Sequence, residues 1–198
     1  MNDLLFHKRN LPHLHPSEGL FFITYRLMDS MPIKVIQTLK EEFKNNKEQL
    51  IIQPNEHSYF VAFDEYMDKY EGGKHYLSIY DIAEINKQAL HYFDSKYYQL
   101  ICFCIMSNHI HLVIKLTEGA PDLSKIMHSI KRHTARQSNI ILKREGAFWM
   151  QESYDHLIRN GNELRHIVNY VLNNPVKAGL TKDWETWPHT YARLDLLD

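Results

Sequence analysis

Cysteine is nearly absent: 198 residues hold two, Cys102 and Cys104. They alternate along one candidate strand, where neighbouring thiols rarely make a structural disulfide. That argues against a disulfide-stapled secreted domain and for a reducing cytoplasm. Long apolar runs are also missing. No window approaches the about 18 consecutive apolar residues that a membrane span needs. The start, MNDLLFHKRNLPHLHP, lacks the charged-then-apolar layout of a secretory signal. The expectation is a cytoplasmic chain with no membrane partner. An excess of charge of one sign is lacking too. The formal net charge of -1 argues against a strongly basic nucleic-acid binder, although thirteen histidines, part-charged near neutrality, soften that argument. No repeat or low-complexity segment is visible.

What is present suits one domain over 1–198, with an insertion around 55–78. GLFFITYRL, 19–27, reads as a first strand. Apolar spacing predicts a helix over 32–46, with Pro32 at a tolerated first position, and another over 80–93. YQLICFCIM, 98–106, and HIHLVIKL, 109–116, read as a strand pair joined at a Ser-Asn turn. A long helix is expected over 121–142. A last one is expected over 162–174, with Asn162 as its N-cap and Pro175 setting its end at Asn174. Strand, helices, a strand pair and further helices imply an α+β fold with a mostly antiparallel sheet.

His109 and His111 stand two apart on a strand, so both imidazoles leave the same face. They either converge on one divalent ion or are hydrogen-bonded near a sheet surface, where they contribute little packing. A zinc site that adds Cys102 and Cys104 is a further reading, set against two thiols packed as small apolar groups. The 121–142 helix carries Lys125, His128, Lys131, Arg132 and Arg136 at one-face spacing. That face either binds phosphates or is simply solvated. Tyr170 falls beside the apolar stripe of the last helix. It either reaches towards a site or rests at a core margin.

Several stretches together resemble a known family. IMSNHIHLVI is similar to the histidine–hydrophobic–histidine signature of the HUH nucleases. Within these it resembles the "MPNHxHLL" run of the single-tyrosine transposases, the IS200/IS605-like enzymes and their REP-associated relatives. FWMQESYDHLIRN, 148–160, looks like the "WQ…YDHxIR" segment of that family. HIVNYVLNNPVKAGL, 166–180, looks like its "YIxxNPVKAGL" segment, and GLFFITYRL is similar to its opening strand. The matches cover the start, middle and end of the chain in the right order. Ser107 departs from the usual proline, and the near-neutral charge is a second departure.

The resemblance implies a ferredoxin-like HUH domain that cuts single-stranded, hairpin DNA through a 5′-phosphotyrosine intermediate. It implies Tyr170 as nucleophile and a structural or DNA-contacting role for Tyr154, Asp155 and His156 of the "YDH" element, where Tyr154 is also the natural rival nucleophile. It also implies a divalent metal, Mg or Mn, held by His109, His111 and Asn174, although Asn174 serves equally as a helix end. Arg26, Arg159 and Lys177 adjoin the matching segments and join Lys125, Lys131, Arg132 and Arg136 as DNA-binding candidates. The expected setting is a bacterial cytoplasm, associated with the nucleoid, as monomer or homodimer. The alternative is a domesticated relative that binds DNA hairpins and cuts nothing.

Overall fold

The structure is a computed structural model that describes residues 19–32, 34–38, 41, 63–68, 70, 72–193 and 195. Five strands form one sheet: β1 (Leu20–Arg26), β2 (Tyr98–Ile105), β3 (His109–Leu116), β4 (Tyr154–Leu157) and β5 (Thr190–Ala192). Their order is β4-β1-β3-β2-β5, and every pairing is antiparallel. Three longer helices accompany them: α1 (Tyr80–Tyr92), α2 (Leu123–Ile141) and α3 (Gly161–Lys177). The run β1-α1-β2-β3-α2-β4 with order 4-1-3-2 is the expected ferredoxin-like arrangement, and β5 extends it beyond β2. Among the described residues no helix is long and apolar enough to cross a membrane.

Alternation along the strands sorts side chains between two cores. Phe21, Ile23, Tyr25, Leu112 and Ile114 face one side, where α1 and α2 cover them with Ile82, Leu90, Ile126 and Ile130. Phe22, Cys102, Cys104 and Val113 face the other, under Ile167, Val168, Val171 and Leu172 of α3. A register shift between Leu100 and Cys102 puts Ile101 on the α3 side beside Cys102. β2 and β3 are thus buried on both faces. Phe21, Phe22 and Tyr25 are core residues, 1–2 % exposed.

Helix boundaries need two corrections. Asn160, not Asn162, caps α3: its Oδ1 accepts from Glu163 N at 2.9 Å. Glu163 in turn accepts from Arg159 N and holds His156 Nε2 of β4 at 2.8 Å. Helix start and sheet edge are therefore pinned together, in the manner of a capping box. Pro175 does not end the helix either. It lies inside α3, which runs on to Lys177 and closes with Ala178 N donating to Asn174 O. Pro175 has no N–H to donate to Val171 O, so the last turn runs with one backbone hydrogen bond fewer. Of the expected 32–46 helix, residues 34–38 are helical, and most of the rest lies outside the described residues. Residues 63–68 form a further helical segment.

Candidate metal and nucleophile site

β3 brings His109 and His111 out on the α3 side of the sheet, at its N-terminal end. Both are fully buried rather than at a sheet surface. Their Nε2 atoms face each other at 3.0 Å. The outer nitrogens are held from behind. His111 Nδ1 meets Thr24 Oγ1 of β1 at 2.8 Å, and His109 Nδ1 meets Asn108 Oδ1 at 2.6 Å. Asn108 has one possible orientation here, because its Nδ2 donates to Met67 O at 3.0 Å. An amide oxygen only accepts, so His109 carries its proton on Nδ1 and turns the Nε2 lone pair inwards.

Two more groups close on the same point. Asp64, from the 63–68 segment, lies 3.2 Å from His111 Nε2 and 3.5 Å from His109 Nε2. Asn174, on α3, places its amide 3.1 Å from His111 Nε2 and 3.2 Å from Asp64 Oδ2. One turn earlier on α3, the Tyr170 hydroxyl donates to Asp64 Oδ2. Tyr170 also sets its ring edge against His111 and Phe22. Helical spacing thus delivers the hydroxyl and the amide side by side.

The electrostatics follow from burial. The His109 imidazole is pushed down to about 3, first by burial and against the pull of Asp64, so it is held neutral. Burial also works to raise the acid of Asp64, but His111, His109 and the Tyr170 hydroxyl more than reverse that, so it stays an anion. Asp68, one turn further on, is pushed up to about 7 by burial and then by Asp64. Tyr170 is held well above the ordinary phenol range by burial and by the negative charge of Asp64.

The donor set fits a divalent cation. Asp64, His109 and His111 form the metal-ligating cluster among the described residues. Ligand atoms 3.0–3.5 Å apart are spaced like the edges of a polyhedron with bonds of about 2.0–2.2 Å. Asp64 Oδ1 and Asn174 Oδ1 are buried without a hydrogen-bond partner, and turning the Asn174 amide over would aim its oxygen inwards. The cysteines take no part. Cys104 Sγ sits 3.6 Å from Met106 Sδ and accepts from Thr190 Oγ1, while burial pushes its thiol up to about 12. With burial raising Cys102 as well, both behave as small core residues.

The remaining predicted residues fall into two groups. Lys177 and Arg26 adjoin the site through the 63–68 segment. Lys177 Nζ pairs with Glu65 at 2.8 Å and lies over the Tyr170 ring, and Arg26 lies over Phe63 while donating to Ser30 Oγ. Lys125, Lys131, Arg132 and Arg136 ride on α2, across the sheet from the histidines. Lys125 pairs with Asp122 at 3.1 Å. Lys131 Nζ is engaged by Met150 O, Gln151 O and Ser153 Oγ. Arg132 and Arg136 are exposed. An open groove of about 830 Å³ runs between α2 and 146–153, reaching Ile23 of β1 and Asp155 of the edge strand β4. Arg159 is exposed where β4 leads into α3. Tyr154 shares the α3 side and packs its ring near Phe22 and beside His156.

A family model described as "Transposase IS200 like" matches residues 74–174, about half of the chain. The chain belongs to the IS200-like transposase family. That span takes in His109, His111, Tyr170 and Asn174 but not Asp64. Two curated relatives are similar over the same scale. A putative REP-associated tyrosine transposase of Haemophilus influenzae is 27% identical over 108 residues, 50% of this chain and 61% of that protein. A REP-associated tyrosine transposase of Escherichia coli is 29% identical over 102 residues, 50% of this chain and 57% of that protein. The chain thus spans about three-fifths of the length of the curated relatives it matches. A solved REP-associated tyrosine transposase, bound to a REP hairpin, has a TM-score of 0.57 at 18% identity. The match covers 90% of this chain and 79% of that one, and supports the fold.

Asp64 is the member of the site that sequence reasoning missed. It falls within the stretch that reads as an insertion, and its one signal is a D-x-x-x-D pair, Asp64 and Asp68, at one-turn helical spacing. Thr24 and Asn108 were missed as well, because residues that steady an imidazole from behind leave no pattern in a single sequence.

Proposed function

We propose that this chain is a single-tyrosine DNA strand-transfer nuclease acting on single-stranded or hairpin DNA, with Tyr170 as its nucleophile. The observation that carries this reading is the meeting of the Tyr170 hydroxyl with Asp64, which also faces both inward-turned imidazoles. His109, His111, Asp64 and Asn174 would hold the divalent cation. Bound there, it would supply charge neutralisation and orientation at the scissile phosphate. Imidazoles suit a transition ion such as Mn²⁺, and the carboxylate and amide oxygens also admit Mg²⁺.

The chain's own groups do the rest. Tyr170 Oη attacks phosphorus, forming the 5′-phosphotyrosine bond as the bond from phosphorus to the 3′ oxygen breaks. The phenolic proton has its acceptor in place at Asp64 Oδ2, and the departing 3′ oxygen takes a proton from solvent water to become a hydroxyl. Asn174 and the paired imidazoles hold the centre around that oxygen. Lys177 and Arg26 adjoin it and are the candidates to meet the DNA backbone once the 63–68 segment yields them. Arg132 and Arg136 lie on α2, on the opposite face of the sheet, so a strand that touched both sets would have to pass around the sheet. REP-associated relatives and a hairpin-bound neighbour support a hairpin as the substrate class.

The test is a labelled single-stranded hairpin library incubated with the protein and Mn²⁺ or Mg²⁺. A covalent protein–DNA adduct that needs the metal and maps to Tyr170 is expected. Tight hairpin binding without any adduct would instead favour the binding-only alternative.

A further inference from the structure

One helical turn beyond Asp64, Asp68 turns its carboxylate towards the same centre. Its Oδ1 lies 3.8 Å from His109 Nε2, and its side chain is 4% exposed. Neither oxygen accepts a hydrogen bond among the described residues. An ionised carboxylate has about four acceptor sites, and leaving them empty in a buried position beside a second carboxylate is unfavourable. Among the described residues no donor relieves it. Lys177 Nζ is held by Glu65. The His109 proton is on Nδ1, directed at Asn108.

Asp68 also stands one step outside the tight group. The ligand atoms of Asp64, His109 and His111 lie within 4.8 Å of one another, and Asp68 is not among them. A buried acceptor with empty sites just behind a ligand is placed to receive hydrogen bonds from water on a bound ion. Hard divalent ions keep several such waters, and outer carboxylates steady a metal centre in this way.

We propose that Asp68 is the outer carboxylate of the metal centre, holding the cation through its bound water and supplying the second negative charge that balances a divalent ion. This rests on the reading of His109, His111, Asp64 and Asn174 as a metal centre. One helical turn of the 63–68 segment then contributes both anions, so the ion and the docking of that segment stabilise each other. Asp68 would accordingly be a burden to the metal-free protein and an asset to the loaded one.

Mn²⁺ alone is the probe, used with the full chain. Calorimetric titration and thermal melting are run on wild type and on Asp68→Asn, each with Mn²⁺ and after chelation. The expected result is Mn²⁺ affinity about 10–100-fold weaker in Asp68→Asn, while the chelated variant melts at or above the chelated wild type. Unchanged affinity in the variant, with wild type binding normally, overturns the role of Asp68 and leaves the metal centre standing. A chelated variant that melts below wild type overturns it as well, since Asp68 would then be a structural residue. Absence of Mn²⁺ binding by wild type overturns the metal centre itself and the role of Asp68 with it.

Discussion

The Tyr170 hydroxyl donates to Asp64 Oδ2 across 106 residues of sequence, tying the last helix to the segment that closes over the histidines. The same carboxylate faces both imidazoles, so the phenol and the ligand set share one oxygen-rich centre. Burial and the charge of Asp64 keep Tyr170 a phenol in this arrangement. Its oxygen becomes a nucleophile only as the proton leaves.

Tyr170→Phe removes that oxygen and keeps the ring against Phe22 and His111. Adduct formation should fall below detection while hairpin binding persists, because phosphate contacts draw on other residues. Asp64 Oδ2 retains the Asn174 amide at 3.2 Å, so the folding penalty should stay near the about 1–3 kcal/mol of one lost charged hydrogen bond. Tyr154→Phe should leave the adduct in place. A denaturing gel with labelled hairpin, then mass spectrometry of the linked peptide, decides between the two tyrosines. An adduct in Tyr170→Phe would rule out this nucleophile.

Metal removal should lower stability measurably. A cation present at 100 times its Kd stabilises by about 2.7 kcal/mol, which in a domain of this size is about 5–11 °C in Tm. Adding Mn²⁺ to chelated protein should raise the melting temperature by that order. The double change of His109 and His111 to Ala should abolish the increment and the metal-dependent cleavage. Because both rings are fully buried, that variant should also melt lower without metal. A full Mn²⁺ increment in the double variant would disprove these histidines as ligands.

The order of strands and long helices was legible because hydrophobic period and turn residues are local signals. β2, β3, α1 and α2 lie within a few residues of where the pattern put them. The ends of α3 were not, since whether Asn160 or Asn162 caps depends on Glu163 reaching His156 in another element. The histidine pair was legible from strand alternation alone. The depth of its burial was not, because that is set by α3 and the 63–68 segment, far away in sequence. Asp64 was invisible for the same reason: a carboxylate becomes a ligand through what it meets, and its partners lie 45 or more positions on.

Asn108 and Thr24 should control metal affinity without touching the metal. Asn108→Ala removes the acceptor that keeps the His109 proton on Nδ1, and Thr24→Val removes the partner of His111 Nδ1. Losing such outer contacts typically weakens binding about 10–100-fold. Asn108→Ala should show the larger drop, because it also frees the Met67 carbonyl beside the Asp68 turn. Titration with Mn²⁺ is the measurement, and wild-type affinity in both variants would show that the tautomer is fixed some other way.

The basic face of α2 should separate into two kinds of residue. Arg132 and Arg136 are exposed, and changing both to Gln should flatten the salt dependence of single-strand binding. Each lost phosphate contact removes about 0.7 from the log–log slope. Lys131 should behave differently, because its amine already holds Met150 O, Gln151 O and Ser153 Oγ at 2.7–3.1 Å. It fastens the 150–153 strand approach to α2, and through it the start of β4. Lys131→Gln should therefore lower the melting temperature, whereas the arginine pair should melt as wild type does. Binding titrations at several salt concentrations, run beside thermal melts, test both halves. An unchanged slope in the double arginine variant would make this face merely solvated, and a Lys131→Gln protein of wild-type stability would return Lys131 to the DNA-contacting set.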